Sequence, residues 1–159
     1  MKAQRVFVSG VLAGVAMSAM MALARLFGFP VKMELLLGTL FLDPGPAAWV
    51  LCFAVFLVGC GLIALLYGVG FEYVAHRADE KTGLAFALIH IVVGGAALGA
   101  LPVIHPRVTE MLPAPGAYLA NLGVLGILSF VGLHLMYGAL IGGMYGPVLH
   151  TKGERRVYA

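Results

Sequence analysis

The stretch GLHLMYGALIGGMYG, residues 132–146, sets a histidine and two tyrosines in an apolar run that carries no charge from Ala117 to Leu149. An α-helix needs about 20 such residues to cross roughly 30 Å of hydrocarbon. This run exceeds one crossing, so it tilts, projects into water or begins outside the bilayer. Three more uncharged runs precede it: Val6 to Ala24, Ala47 to Phe71 and Gly83 to Ile104. None shows the apolar–polar alternation of a β-barrel strand. The expected fold is an all-α membrane protein, a four-helix transmembrane bundle forming a single domain over 1–159. Its helices are expected near 6–29, 47–75, 83–104 and 117–149.

Composition agrees with that reading. The chain of 159 residues is 62% hydrophobic and 11% charged, where a soluble domain carries about 25% charge. The mean hydropathy is +1.01. Lys2, Arg5 and the small residues Ala22 and Ala24 give the first run some features of a secretory signal, but its apolar stretch is long for one, and it reads as a retained helix. Lys2, Arg5, Arg77, Lys81, Lys152, Arg155 and Arg156 fall on one side of the expected bundle, and only Arg25, Lys32 and Arg107 on the other. That bias places both termini in the cytoplasm. Anionic headgroups account for the formal charge of +3, so the expected partners are the lipid bilayer and other membrane subunits or a second copy, not nucleic acid.

The connections differ in kind. HRADEKT, residues 76–82, is a tight charged turn between antiparallel helices. In FPVKMELLLGTLFLDPGP, residues 29–46, Pro30 and Asp43-Pro44 bracket a segment too short to span. It is expected as a short interfacial helix at about 33–42 in the first outer loop, with Glu34 and Asp43 as its caps. LPVIHPRVTEMLPAPGAY, residues 101–118, contains four prolines and has room for a turn or two of helix. No nucleotide-binding fingerprint, HExxH or GxSxG is present, and no span carries a charge near its centre. Catalysis is therefore not the expected activity.

Small residues allow helix backbones to approach closely within a membrane. Gly10, Gly14, Ser18 and Ala22 form one stripe, Gly94, Gly95 and Gly99 a second, and Gly138, Gly142 and Gly146 a third. Together they predict a tightly packed bundle with little internal volume. His134 lies four residues before Gly138, and His90 four before Gly94, so both are expected to face protein.

Two intramembrane histidines suggest a clamp for haem b, with His105 further along the chain as a third candidate ligand. At 1.5 Å per residue, however, His90 lies roughly 10 Å and His134 roughly 20 Å from the inner end of its run. That mismatch disfavours one haem plane between them. The favoured expectation is a neutral His134 hydrogen-bonded to Ser129, Tyr137, Tyr67 or a carbonyl, with no cofactor. Glu72 and His76, with His150, offer a proton-entry or metal site, against the plainer reading of a solvated ion pair. Cys52 and Cys60 sit about 12 Å apart along a helix, beyond disulfide reach, and read as free packing residues. Met17, Met20 and Met21 offer soft ligands for copper(I), but methionines in a span more often fill gaps.

The closing pattern HLMYGALIGGMYG, the pair Tyr67-Gly68 and the segment FGFPVKMELLLGTLF resemble small uncharacterised bacterial inner-membrane proteins with four predicted transmembrane helices. The resemblance implies a multi-pass protein of the bacterial inner membrane and assigns no activity to particular residues. The expected function is that of a non-catalytic accessory or structural subunit in a larger membrane complex of respiratory or photosynthetic type. One alternative is a haem b or metal-binding protein using His90 and His134. The other is a small oligomeric carrier or channel with His134 and Tyr137 along a path between protomers.

Overall fold

In the computed structural model, residues 1–29 and 33–157 are described, with side chains as far as Val148 in the last helix. Lys32 and Pro30 lie outside the described residues, as do the side chains of His150, Lys152, Arg155 and Arg156. The elements in order are α1 (Ala3–Leu26), α2 (Met33–Gly38), α3 (Pro46–Val69), a π turn (Gly70–Val74), α4 (Glu80–Ile104), a 3-10 segment (Ala117–Leu122) and α5 (Gly123–Val157). Among the described residues there is no β-strand, and four helices are long and apolar enough to cross a membrane.

Helix boundaries follow local chemistry. Asp79 begins α4 by accepting the Thr82 N–H at 2.7 Å and the Thr82 hydroxyl at 2.8 Å, which satisfies one of the unpaired donors of a helix start. α1 ends at Leu26, short of the expected residue 29, because Gly28 takes a left-handed φ of 83° that stops the helix. α2 ends at Gly38, short of residue 42, where the Thr39 hydroxyl turns back onto the Leu35 and Leu36 carbonyls. The fourth long run does not begin as regular helix at residue 117. Tyr118 and Leu119 adopt left-handed φ values of 55° and 61°, a conformation that costs roughly 1–2 kcal/mol per residue, and α5 becomes regular only from Gly123.

Around the bundle, α1 packs against α3 and α5, and α5 packs against α4. α3 and α4 meet mainly through the side chains of Tyr67, Phe71, Phe86 and His90. Two of the expected small-residue stripes close these contacts backbone to backbone. A Cβ on Gly138 would run into the Gly83 carbonyl, one on Gly142 into the Asp79 carbonyl, and one on Gly146 would fall 2.6 Å from the Ala78 carbonyl oxygen. Gly10 lies against Ala64 and the Cys60 carbonyl, and Gly14 against the Cys60 side chain. Such approaches bring dispersion contacts that bulkier residues would prevent.

The third stripe has a different use. Gly95 seats the ring of Tyr118, and Gly99 faces Ala117, so this face receives the strained 3-10 segment in place of a long helix. Ser18 also departs from plain helix packing, because its hydroxyl donates to Glu34 at 2.8 Å. Glu34 is 2% exposed and also accepts from Arg25 at 3.0 Å. From the first turn of the short helix it ties α2 to α1.

The end of the bundle that carries α2 and the 105–122 connection is here called the loop end. The opposite end, with residues 75–79, is the turn end. Two residues lock the loop end. His105 donates from Nε2 to the Leu36 carbonyl at 2.8 Å, and its Nδ1 accepts from the Arg107 and Val108 N–H groups. Arg107 reaches Asp43 at 2.7 Å and the Thr39 carbonyl at 2.8 Å.

Candidate functional site: a cavity between the helices

The expectation of little internal volume does not hold at the loop end. A cavity of about 350 Å³ opens there. Met17 and Met21 line it from α1, Cys60 and Ile63 from α3, His90 and Gly94 from α4, and His134 and Tyr137 from α5, while Leu36 and Leu119 close it toward the loops. The physical reason is local. Glycine backbones close the turn half, whereas at Gly94 no second backbone arrives, and room is left beside His134 and Phe130 of α5. On the open side of the cavity, Ala97 of α4 is an exposed lining residue.

All three sequence-predicted histidines line this cavity, but their chemistry differs. His105 has both ring nitrogens engaged in holding the loops, so it is no free ligand. His90 and His134 are in edge contact, with ring centroids 4.6 Å apart and planes at 74°. The depth mismatch inferred from the sequence is therefore corrected. α5 runs past the turn end to Val157, and the two helices take their register from Gly83 against Gly138. Counting equally from that contact brings His90 level with Val131, within a turn of His134.

Proximity does not make a haem clamp. Two imidazoles bound on opposite faces of one iron, with metal–nitrogen bonds of about 2 Å, would have centroids roughly 6 Å apart with a porphyrin plane between them. The rings as they stand leave no room for that plane. Among the described residues, no group of three His, Cys, Asp or Glu side chains is placed to hold a metal ion. Met20 is 49% exposed while Met17 and Met21 are buried, so the three methionines do not converge.

The hydrogen bonds set what the cavity offers. His134 Nδ1 bonds the Phe130 carbonyl at 2.8 Å, one turn back on its own helix. A carbonyl can only accept, so Nδ1 carries the proton. His90 Nδ1 pairs with the Tyr67 hydroxyl at 3.2 Å. The Tyr137 hydroxyl donates to the Cys60 carbonyl, which fastens α5 to α3 beneath the cavity floor. Tyr67 also packs edge-on against Tyr137, Phe71 and Phe86.

Glu72 and His76 form no side-chain ion pair of the kind expected. His76 Nδ1 bonds the backbone carbonyl of Glu72 at 3.0 Å. The Glu72 carboxylate instead meets the Met1 ammonium at 2.7 Å and the Tyr145 hydroxyl. The π turn carries Glu72 to this position; such turns widen a helix locally and re-aim a side chain. At the adjoining turn, the Thr82 N–H and the Arg77 guanidinium hold the Asp79 carboxyl below the usual carboxylate range.

Cys52 and Cys60 are both free and buried. Cys52 takes part in structure that its residue type did not reveal: its thiol accepts from the Gly38 N–H at 2.8 Å and donates to the Leu35 carbonyl at 3.1 Å. Gly94 was read from sequence as a packing residue, and its role in opening the cavity has no signature in the chain.

Comparison with protein-family models, with curated proteins and with solved structures found no match.

Proposed function

We propose that the chain is a multi-pass protein of the bacterial inner membrane, with both termini cytoplasmic, that holds an apolar small molecule within its bundle. The cavity carries this reading. Its volume lies within the range of small-molecule sites, and its lining is apolar apart from a few polar groups gathered around His90 and His134.

Membrane insertion is supported by the surface. Only 44%, 22%, 17% and 28% of the most apolar windows of the four long helices are buried, so their outward faces form an apolar surface far larger than a monomer in water sustains. The orientation is supported by the basic residues of the termini and of the 76–82 turn. An accessory role within a larger complex is compatible with this reading, but it leaves the cavity without a use. The carrier reading placed His134 and Tyr137 along a path between protomers; here the two line a space inside one chain.

The test is native mass spectrometry of the protein extracted gently from its own membrane fraction, paired with the variant Ala97→Trp. The indole would plug the open side from an exposed position. One apolar molecule per wild-type chain, missing from the variant, is the expected result. Identical spectra with no bound molecule in either would overturn the proposal.

A further inference from the structure

The occupant's chemistry follows from one proton. In the neutral ring of His134, Nδ1–H is committed to the Phe130 carbonyl, so Nε2 holds a lone pair and can only accept. Among the described residues no hydrogen bond reaches this Nε2. Nor is it sealed off, because among the described residues every fully buried side-chain nitrogen or oxygen has a partner. It faces the gap at Gly94: a Cβ there would stand 3.4 Å from Nε2, 3.5 Å from Phe130 Cζ and 3.8 Å from His90 Cδ2. The glycine leaves room for a small group beside Nε2.

The other polar groups around the cavity do not compete for that lone pair. The Tyr137 proton goes to the Cys60 carbonyl, and His105 is fully engaged with the loops. His90 Nδ1 is paired with the Tyr67 hydroxyl; when that hydroxyl is the donor, His90 Nε2 carries the ring proton and calls for an acceptor, which a ligand atom that both donates and accepts supplies. A hydroxyl does both. A ketone, quinone or ether oxygen cannot donate, and would leave the His134 acceptor desolvated and unpaired. A carboxylate would add a charge for which no cationic side chain among the described residues lines the cavity.

We infer that the cavity selects a hydroxyl-bearing lipophile, an alcohol or phenol with an apolar body, whose O–H donates to His134 Nε2 in the space left open by Gly94. The inference rests on the proposed function above and narrows its ligand class.

The test uses full-length protein, labelled with 15N-histidine, in lipid nanodiscs. The probes are 4-hexylphenol and 4-hexylanisole, which share a shape but differ in the donor. The phenol is expected to bind about three- to tenfold more tightly than the ether, the worth of one net hydrogen bond, and to shift the Nε2 resonance of His134. Gly94→Ala places a methyl before the lone pair at ordinary contact distances; it should keep the fold and lose the phenol-induced shift. Equal binding of both probes, or a proton found on Nε2 in the free protein, would overturn the hydroxyl preference while leaving cavity binding intact. Binding of neither probe, with no molecule retained from the membrane, would overturn both proposals.

Discussion

Glycines at the two ends of the bundle, Gly138 and Gly94, are used in opposite ways. At the turn end, Gly83 and Gly138 bring α4 and α5 together until backbone touches backbone. At the loop end, Gly94 brings nothing together; it leaves a gap facing His134, while its neighbour Gly95 is filled by the ring of Tyr118. A small residue in a span therefore marks close approach only where a second backbone arrives. Where none does, the same residue makes volume.

The largest effect should come from Gly83→Leu. The added side chain has no path past the Gly138 carbonyl, and overpacking of this kind costs about 3 kcal/mol or more. Loss of the cooperative melt in detergent, followed by circular dichroism, is the expected outcome. An unchanged melt would mean that backbone contact does not hold the turn half.

Arg25→Ala tests the loop half. It leaves the Glu34 carboxylate, 3% exposed, with Ser18. Arg25 is itself partly exposed, so we expect about 2 kcal/mol, below the 3–5 typical of a fully buried pair. Trp49, whose ring lies 5.4 Å from the guanidinium, gives the readout: its fluorescence should change as α2 loosens. If the melt shifts without any change in fluorescence, the remaining contacts to Ser18, Cys52 and His105 suffice to hold α2.

Asp79→Ala should have the smallest effect and is best separated by pH. Because the folded carboxyl is held below its ordinary range, its contribution is complete above the unfolded pKa of about 3.9 and fades as pH falls through the folded value. The melting points of wild type and variant should differ at neutral pH and converge in strong acid. A gap that persists there would assign the effect to helix propensity instead of the cap.

The long helices were legible because an apolar run of sufficient length leaves the chain few other folds. The faces around Gly10, Gly14, Gly138 and Gly142 were legible as well, since four-residue spacing puts small residues in one line. What could not be read was register. Depth counted from the ends of the runs set His90 and His134 apart, because an over-long run can project at either end and the sequence does not say which. The cavity was hidden for the same reason: it depends on which glycine meets a backbone. The tie made by Glu34 was hidden because a carboxylate early in a short helix looks like a cap, and its partners Ser18 and Arg25 come from the preceding helix.

The bond from His105 to Leu36 joins residues 69 apart in sequence, and this spacing fixes an order of assembly in time. At a synthesis rate of about 5–20 residues per second, the Leu36 carbonyl waits roughly 3–14 s for the imidazole that will bond it. The Thr39 carbonyl waits as long for Arg107. During that interval α1, α2 and α3 have all been made, yet the latch over them has not. The segment that closes the loop end is thus among the first parts of the chain to be synthesised, and it is secured only once α4 has been made.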